Sequence, residues 1–257
     1  AFAYVRDRNL AILAEAPVSY VKWYHNRDLV DAGTGERGVP GVHAQTLATY
    51  RMLAEIKEHF PELEIESCSS GGGRVDLGIL ELTDRVWASD CIDPLERQQI
   101  NRWTAQLLPP ELIALHWHLG VEWDLDEATP EELAELGGWI ARHKELRPLL
   151  HSGRMVRVDL ADPTLNLYGV VAQDRSEALF VLASLGRSEV SPRGRFTVRG
   201  LDPRRRYRVR PVLGGARPSG LIDPPWFGPG LEGVELSGQA LATVGLHCPT
   251  LDPETAI

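Results

Sequence analysis

The stretch LEIESCSSGGGRVD, Leu63 to Asp76, decides the fold. Leu63 to Ser67 reads as a short strand, and it runs into three consecutive glycines that let a ligand approach the main chain and expose backbone N–H groups. Upstream, Leu47, Leu53, Ile56 and Phe60 follow helical spacing until Pro61. Downstream, Asp76 to Leu82 reads as a helical turn and Arg85 to Ser89 as a further strand. Pro94 then opens a helix carrying Leu95, Ile100 and Leu107. Working back toward Ala1, a loop holds Gly33, Gly35, Gly38 and Gly41. Before it lies the strand Tyr20-Val21-Lys22-Trp23, behind a helix with Val5, Leu10, Ile12 and Leu13 that Pro17 closes. Helices alternate with short strands, the signature of a parallel sheet in an α/β domain.

The alternation ends after one more helix, from about Glu131 to Leu150. Beyond Arg154 the period changes. Met155 to Val158, Leu167 to Val171, Ala178 to Leu185, Phe196 to Val198 and Tyr207 to Val212 are β-rich runs separated by Gly, Pro, Asp and Ser, the pattern of an antiparallel β-sandwich. The boundary is expected at His151 to Gly153, giving an α/β domain over 1–152 and an all-β domain over 153–257.

Composition excludes several classes. The 257 residues are 43% hydrophobic and 25% charged, an ordinary globular mixture. A net charge of -9 argues against a nucleic-acid partner, whose phosphates require a cationic surface. No apolar run is long enough to span a membrane, and Arg6, Asp7 and Arg8 interrupt the place where a signal peptide needs an apolar core. Cys68, Cys91 and Cys248 have neither paired nor metal-ligand spacing, so no disulfide framework, metal or cofactor is expected, and the compartment is expected to be the cytoplasm.

Ligands of parallel α/β folds bind at the carboxyl ends of strands, and three predicted ends carry unusual polar groups. The first is Lys22-Trp23-Tyr24-His25-Asn26-Arg27, dense in donors and rings. A plain solvated turn with Trp23 in the core is its bland alternative. The second is Glu66 to Asp76. Its glycine triplet is followed by Arg-Val-Asp, where a phosphate loop needs Lys then Ser or Thr, and a dinucleotide loop needs spaced glycines. A flexible turn is the alternative, which the flanking Glu66, Cys68, Arg74 and Asp76 disfavour. The third is Trp87 to Asp93. Asp93 before Pro94 is explained as a helix N-cap, whereas Asp90, three residues earlier, is not. A carboxyl near an aromatic ring at a strand end is a suitable setting for a general acid.

Taken together and in order, these ends resemble glycoside hydrolase family 36, the α-galactosidases or melibiases. Lys22 to Arg27 is similar to the family's Lys-Trp-Asp-x-Asn-Arg, Glu66 to Asp76 to its Cys-containing glycine loop, and Ser89 to Arg97 to its Ser-Asp-x-x-Asp-x-x-Glu-Arg. The resemblance implies a retaining α-galactosidase acting on α-galactosides. It also implies the second half of a (β/α)₈ TIM barrel followed by a C-terminal β-sandwich, with a homo-oligomer permitted. It assigns Asp90 as acid/base and places Lys22, Cys68, Gly71 and Arg74 among the galactose-binding residues.

Three departures accompany it. The family's nucleophilic Asp falls at Tyr24, and a phenol is mostly protonated at neutral pH. A Tyr nucleophile has a precedent among sialidases. The chain opens one helix ahead of the Lys-Trp motif, so an incomplete barrel with an open strand edge is expected, needing a cover. The segment between Pro110 and Trp123 is shorter than the family's. A non-catalytic sugar-binding remnant, or a fragment with no independent role, is the alternative to an active enzyme.

Overall fold

The computed structural model describes residues 1–25, 33–34, 38–113, 119–121, 123–212, 223–227, 232–253 and 255–256. Asn26, Arg27 and Gly35 lie outside them. The chain divides into two compact units, Ala1–His118 and Leu119–Ile257. The expected boundary at 152/153 falls inside the second unit, where a helix gives way to strands.

In the first unit α1 (Phe2–Glu15) precedes β1 (Tyr20–Tyr24), and β2 (Gly33–Thr34) pairs with β3 (Val39–Pro40) in a short antiparallel ladder within the stretch read as a loop. Then come α2 (Val42–His59), β4 (Glu64–Cys68), α3 (Leu77–Leu80), β5 (Arg85–Val86) and α4 (Pro94–Thr104). The strands form a parallel sheet in the order β1-β4-β5, and an isolated parallel bridge joins Val86 to Ile113. Helix α2 ends at His59 because Phe60, preceding Pro61, is pushed out of helical geometry. Its Met52, Leu53 and Ile56 are buried, as are Leu63 and Ile65 at β4. Lys57 locks the end of α2 to the strands, donating to the Leu63 carbonyl at 2.8 Å and to Asp84 at 2.9 Å. Asp84 in turn accepts from the Ile65 amide.

The third strand is shorter than the run Arg85 to Ser89. The Trp87 amide still reaches the Ser67 carbonyl at 2.9 Å, but beyond it the glycine loop lies against Ala88 and Ser89. Helix α4 starts where expected. Asp93 caps it, accepting from the Leu95 and Glu96 amides at 3.0 and 2.9 Å, with Pro94 in the first turn.

In the second unit α5 (Pro130–Ser152) opens on a capping box between Thr129 and Glu132. Four strands follow in an antiparallel sheet ordered β13-β8-β7-β6: β6 (Arg154–Val158), β7 (Leu165–Val171), β8 (Ala178–Ser184) and, much later, β13 (Thr255–Ala256). Two small antiparallel pairs accompany it. β9 (Arg195–Phe196) pairs with β12 (Leu246–His247), and β10 (Arg206–Val209) with β11 (Val234–Ser237), while α6 (Gly238–Thr243) lies between β11 and β12 in sequence. The run Phe196 to Val198 is only half ladder, because the Val198 amide donates to Leu241 of α6 instead. Leu165, Leu167 and Leu182 of the large sheet share one core with Phe196, Trp226, Phe227, Leu241 and Leu246. Trp226 stands edge-on to Phe196 and Phe227 and donates its indole N–H to the His247 carbonyl. Among the described residues, no helix is long and apolar enough to cross a membrane.

Leu241 is fully buried in this core, whereas Leu133 on α5 is 40% exposed. Leu241→Ala is expected to destabilise the second unit by about 2–5 kcal/mol in urea denaturation. Leu133→Ala is expected to stay within about 0.5 kcal/mol of the parent.

Candidate active site

Parallel pairing of β1 and β4 sets Lys22 beside Glu66 and Tyr24 beside Cys68. Because side chains alternate along a strand, Tyr20, Lys22 and Tyr24 fall on one face with Glu64, Glu66 and Cys68. That face is unusually polar. Val21, Trp23 and Ile65 on the opposite face line an apolar cavity with Ile12 and Leu13 of α1 and Ile56 of α2, so Trp23 has a packing role.

At the strand ends, the Cys68 thiol donates to Asp90 Oδ1 across 3.7 Å. Burial pushes that thiol above its ordinary range, and the Asp90 charge adds to the shift against the opposing Gly71 amide and Lys22 ammonium, so the group is a neutral donor. Lys22 Nζ lies 3.4 Å from Glu66 Oε1 and 3.7 Å from the centre of the Trp87 ring. Glu66 and Trp87 are each 4% exposed, and the second Glu66 oxygen accepts a short hydrogen bond from Tyr20. Arg97 approaches the same indole at 4.7 Å and donates to the Ser89 carbonyl at 2.6 Å, fixing the backbone next to Asp90. Tyr24 is 54% exposed, and its ring centre is 5.8 Å from Lys22 Nζ.

The glycine loop braces this arrangement. Gly71 has φ of +71°, and a Cβ built on it would sit 2.7 Å from Ser89 Cα and 2.8 Å from the Asp90 nitrogen. Only glycine therefore allows the loop to lie directly against Asp90. Ser69 Oγ donates to the His25 carbonyl, and the His25 amide to the Cys68 carbonyl, tying the end of β1 to the loop. Arg74 reaches these strand ends from their backbone side, with Nη1 3.5 Å from the Trp23 carbonyl and 3.4 Å from the Cys68 carbonyl. Asp76 caps α3 through the Ile79 amide and accepts the Tyr50 hydroxyl at 2.6 Å. Burial alone raises the Asp76 carboxyl, but the Tyr50 hydroxyl, the Ile79 and Gly78 amides and Arg74 outweigh it and hold the group below the usual carboxylate range. Burial and the same carboxylate push Tyr50 up to about 12.

The structure thus brings Lys22, Tyr24, Cys68, Gly71 and Asp90 to one set of parallel strand ends, with Arg74 bound to the main chain beside them. Glu66 and Trp87, which complete the ammonium's surroundings, open the second and third strand-end stretches singled out from the sequence but were given no role in the site. Their signal was alternation: Glu66 stands two residues before Cys68 and Trp87 two residues after Arg85, on the same face. An ammonium, a thiol, a carboxylate and main-chain groups together suit a hydroxyl-rich ligand and provide an acid. Among the described residues, no group of three or more His, Cys, Asp or Glu side chains forms a metal site.

Residues 1–118 match the family described as Melibiase, and residues 166–255 match the Glycosyl hydrolase family 36 C-terminal domain. The α-galactosidase of Escherichia coli is 38% identical over 288 aligned positions, which take in all of this chain and 40% of that protein. Alpha-galactosidase AgaA of Geobacillus stearothermophilus is 28% identical over 80% of this chain and 32% of its own length. The chain therefore spans well under half of these relatives. Among solved structures, the α-galactosidase of Lactobacillus brevis aligns over the whole chain and 37% of its own with a TM-score of 0.81 at 23% identity. AgaA bound to raffinose aligns over the same shares with a TM-score of 0.81 at 24% identity.

Two outcomes follow from the loop geometry. Gly71→Ala is expected to cost about 1–2 kcal/mol in thermal or urea unfolding and to displace the Ser89–Asp90 backbone, visible as shifted Asp90 and Cys68 amide resonances. Asp76 has a depressed native pKa, so its stabilisation is present above the unfolded-state value of about 4 and is lost as pH falls through the native value. The raised Tyr50 value makes its own share present below about pH 10 and lost as pH climbs toward about 12. The difference in urea midpoint between the parent and Asp76→Ala is therefore expected to be largest near neutrality and to shrink at both extremes.

Proposed function

Because the chain belongs to glycosyl hydrolase family 36, we propose that its strand-end site is the sugar-binding and acid/base part of an α-galactosidase centre acting on terminal α-D-galactosides. The observation that carries this reading is the placement of Asp90 against Cys68 and the glycine loop, within the group of strand ends that also holds Lys22. On this reading residues 1–152 contribute part of a (β/α)₈ barrel and residues 153–257 a β-sandwich. The parallel β1-β4-β5 order and the shared core of the antiparallel strands support that division. The relatives support the substrate class: AgaA forms have been solved with raffinose and with stachyose. The match to the E. coli enzyme takes 288 aligned positions against 257 residues here, which supports a shortened internal segment such as 110–123.

Retaining hydrolysis requires one group to attack the anomeric carbon while a second, roughly 5 Å away in the usual pair of carboxyls, protonates the leaving oxygen and later activates water. Asp90 takes the second role. It stands at an open strand end where a glycosidic oxygen has access, and the Cys68 thiol and the Arg97-braced Ser89 carbonyl fix its surroundings. Lys22 Nζ donates to a galactose hydroxyl, and Gly71 lets the sugar approach the main chain. Arg74 supports the site through the Trp23 and Cys68 carbonyls.

Tyr24 occupies the nucleophile's position. A phenol lacks the negative charge that stabilises an oxocarbenium-like transition state, and it attacks only after losing its proton. This substitution favours a second reading, a sugar-binding relative that retains galactose contacts with little or no turnover.

Hydrolysis of an aryl α-galactoside separates the two readings. It should be measured on this chain and on a chimera that sets it behind the preceding part of the E. coli α-galactosidase. The parent sequence is expected to be nearly inactive in both. In the chimera, Tyr24→Asp is expected to raise the rate on the order of 10³-fold, and Asp90→Ala in that background to remove the gain. Robust turnover by the Tyr24 chain, with a trapped inhibitor bonded to the phenol oxygen, would make Tyr24 a working nucleophile. A Tyr24→Asp chimera that folds and binds galactose yet gains nothing counts against Asp90 as acid/base.

A further inference from the structure

Lys22, Lys57 and Lys144 are the only lysines among 27 cationic residues; all the others are arginines. Lys57 holds the end of α2 against β4 and Asp84. Lys22 has surroundings of another kind. Its ammonium sits 3.7 Å from the Trp87 ring centre, with the buried carboxylate of Glu66 3.4 Å away. The neighbouring cation Arg85 is committed elsewhere, pairing with Glu64 at 2.8 Å. Glu66 Oε2 is taken by the Tyr20 hydroxyl. Glu66 Oε1 is shut away from solvent and accepts no hydrogen bond among the described residues, even from Lys22, with which it forms an ion pair without hydrogen-bond geometry.

A ligand hydroxyl has no access to a sealed carboxylate oxygen, so Glu66 can act on a sugar only through another group. A buried carboxylate without an ion partner is strongly disfavoured, and the ammonium is the cation placed to compensate it. The ring face adds a cation–π attraction that works only while the ammonium stays over it. The carboxylate below and the ring beside it hold one end of a flexible four-carbon side chain in a single place. The ammonium protons are left for a partner on the open side.

We propose that Glu66 is a positioning residue: it holds the Lys22 ammonium over the Trp87 face so that its protons are presented to a galactose hydroxyl. This rests on the reading of Lys22 as a sugar contact given above, and it adds the device that makes the contact directional. Tyr20 has the lesser task of satisfying the second Glu66 oxygen. The charge of Glu66, and not its volume, is what holds the ammonium.

The chain is labelled with lysine carrying ¹³C at Cε, and its three signals are followed by NMR during titration with galactose. Lys22→Met identifies the Lys22 signal. That signal is expected upfield of the Lys57 and Lys144 signals, shifted by the indole ring current, and is expected to move when galactose is added. In Glu66→Gln, which keeps the side-chain volume and an acceptor for Tyr20, the Lys22 signal is expected to fall back toward the other two. Galactose affinity should drop about tenfold to a hundredfold, the range for loss of one charge-assisted hydrogen bond. Tyr20→Phe, which keeps the charge, is expected to leave the Lys22 signal in place. Should Glu66→Gln fail to fold, Glu66→Asp is read instead, with a partial return of the signal expected from a charge withdrawn by one methylene. A Lys22 signal unmoved by loss of the Glu66 charge overturns the proposal. If galactose leaves the Lys22 signal of the parent chain untouched, the sugar-contact reading falls, and the sugar half of the proposal with it. The displacement in Glu66→Gln still decides whether Glu66 holds the ammonium.

Discussion

The site depends on the register between β1 and β4. Lys22 against Glu66 and Tyr24 against Cys68 are consequences of one alignment of two parallel strands. A slip of β1 by one residue would turn Val21 and Trp23 to the polar face and bury Lys22 among apolar side chains. The opposite face prevents this. Ile65 and the buried Leu53 and Ile56 of α2 make the correct register the one that removes apolar surface from water, and Lys57 with Asp84 locks the end of α2 to the start of β4. Packing on one face therefore fixes the chemistry on the other.

Much of this was legible in the sequence because the signals were local. The helix before Pro61 and the Asp93 cap with Pro94 behind it each depend on a residue acting within one turn. Family membership was legible for a different reason, because three motifs at strand ends occur in a fixed order. Partners distant in the chain were not legible. The shortness of β5 follows from a glycine loop folding across Ala88 and Ser89, and nothing in the run Arg85 to Ser89 encodes that contact. Likewise, Val198 leaves its predicted strand because Leu241, more than forty residues later, offers it a carbonyl. The short ladder at Gly33 and Thr34 was hidden behind glycines that read as loop.

The same distinction explains which site residues stood out. Cys68, Gly71 and Asp90 sit where regular structure ends, and unusual residues there attract attention. Glu66 sits inside a strand and stands out in the sequence only as one of the polar residues flanking the glycine loop. Its burial appears only once β1 is laid alongside with an ammonium at the matching position. Arg74 shows the reverse. Its charge beside a glycine loop suggests a ligand contact, and the fold also gives its Nη1 the carbonyls of Trp23 and Cys68, at 3.5 and 3.4 Å. A side chain's type announces what it can bind, whereas its commitments in the fold decide what remains available.

On the proposed reading, such commitments separate binding from turnover. Lys22, Glu66 and Trp87 form a charge-compensated group with the Tyr24 ring 5.8 Å from the ammonium, and the contact between Asp90 and Cys68 is braced by Gly71 and Arg97. Tyr24 is the exposed last residue of β1, so an aromatic ring fits there without repacking the sheet. A buried ion pair resists loss of one partner because the other is left uncompensated, but an exposed strand-end residue carries no such penalty. A change of side chain at this exposed strand end therefore leaves the buried Glu66 carboxylate its ammonium partner and the apolar face of the sheet its packing. On the proposed reading, such an architecture keeps its sugar-facing surface when its attacking group is replaced.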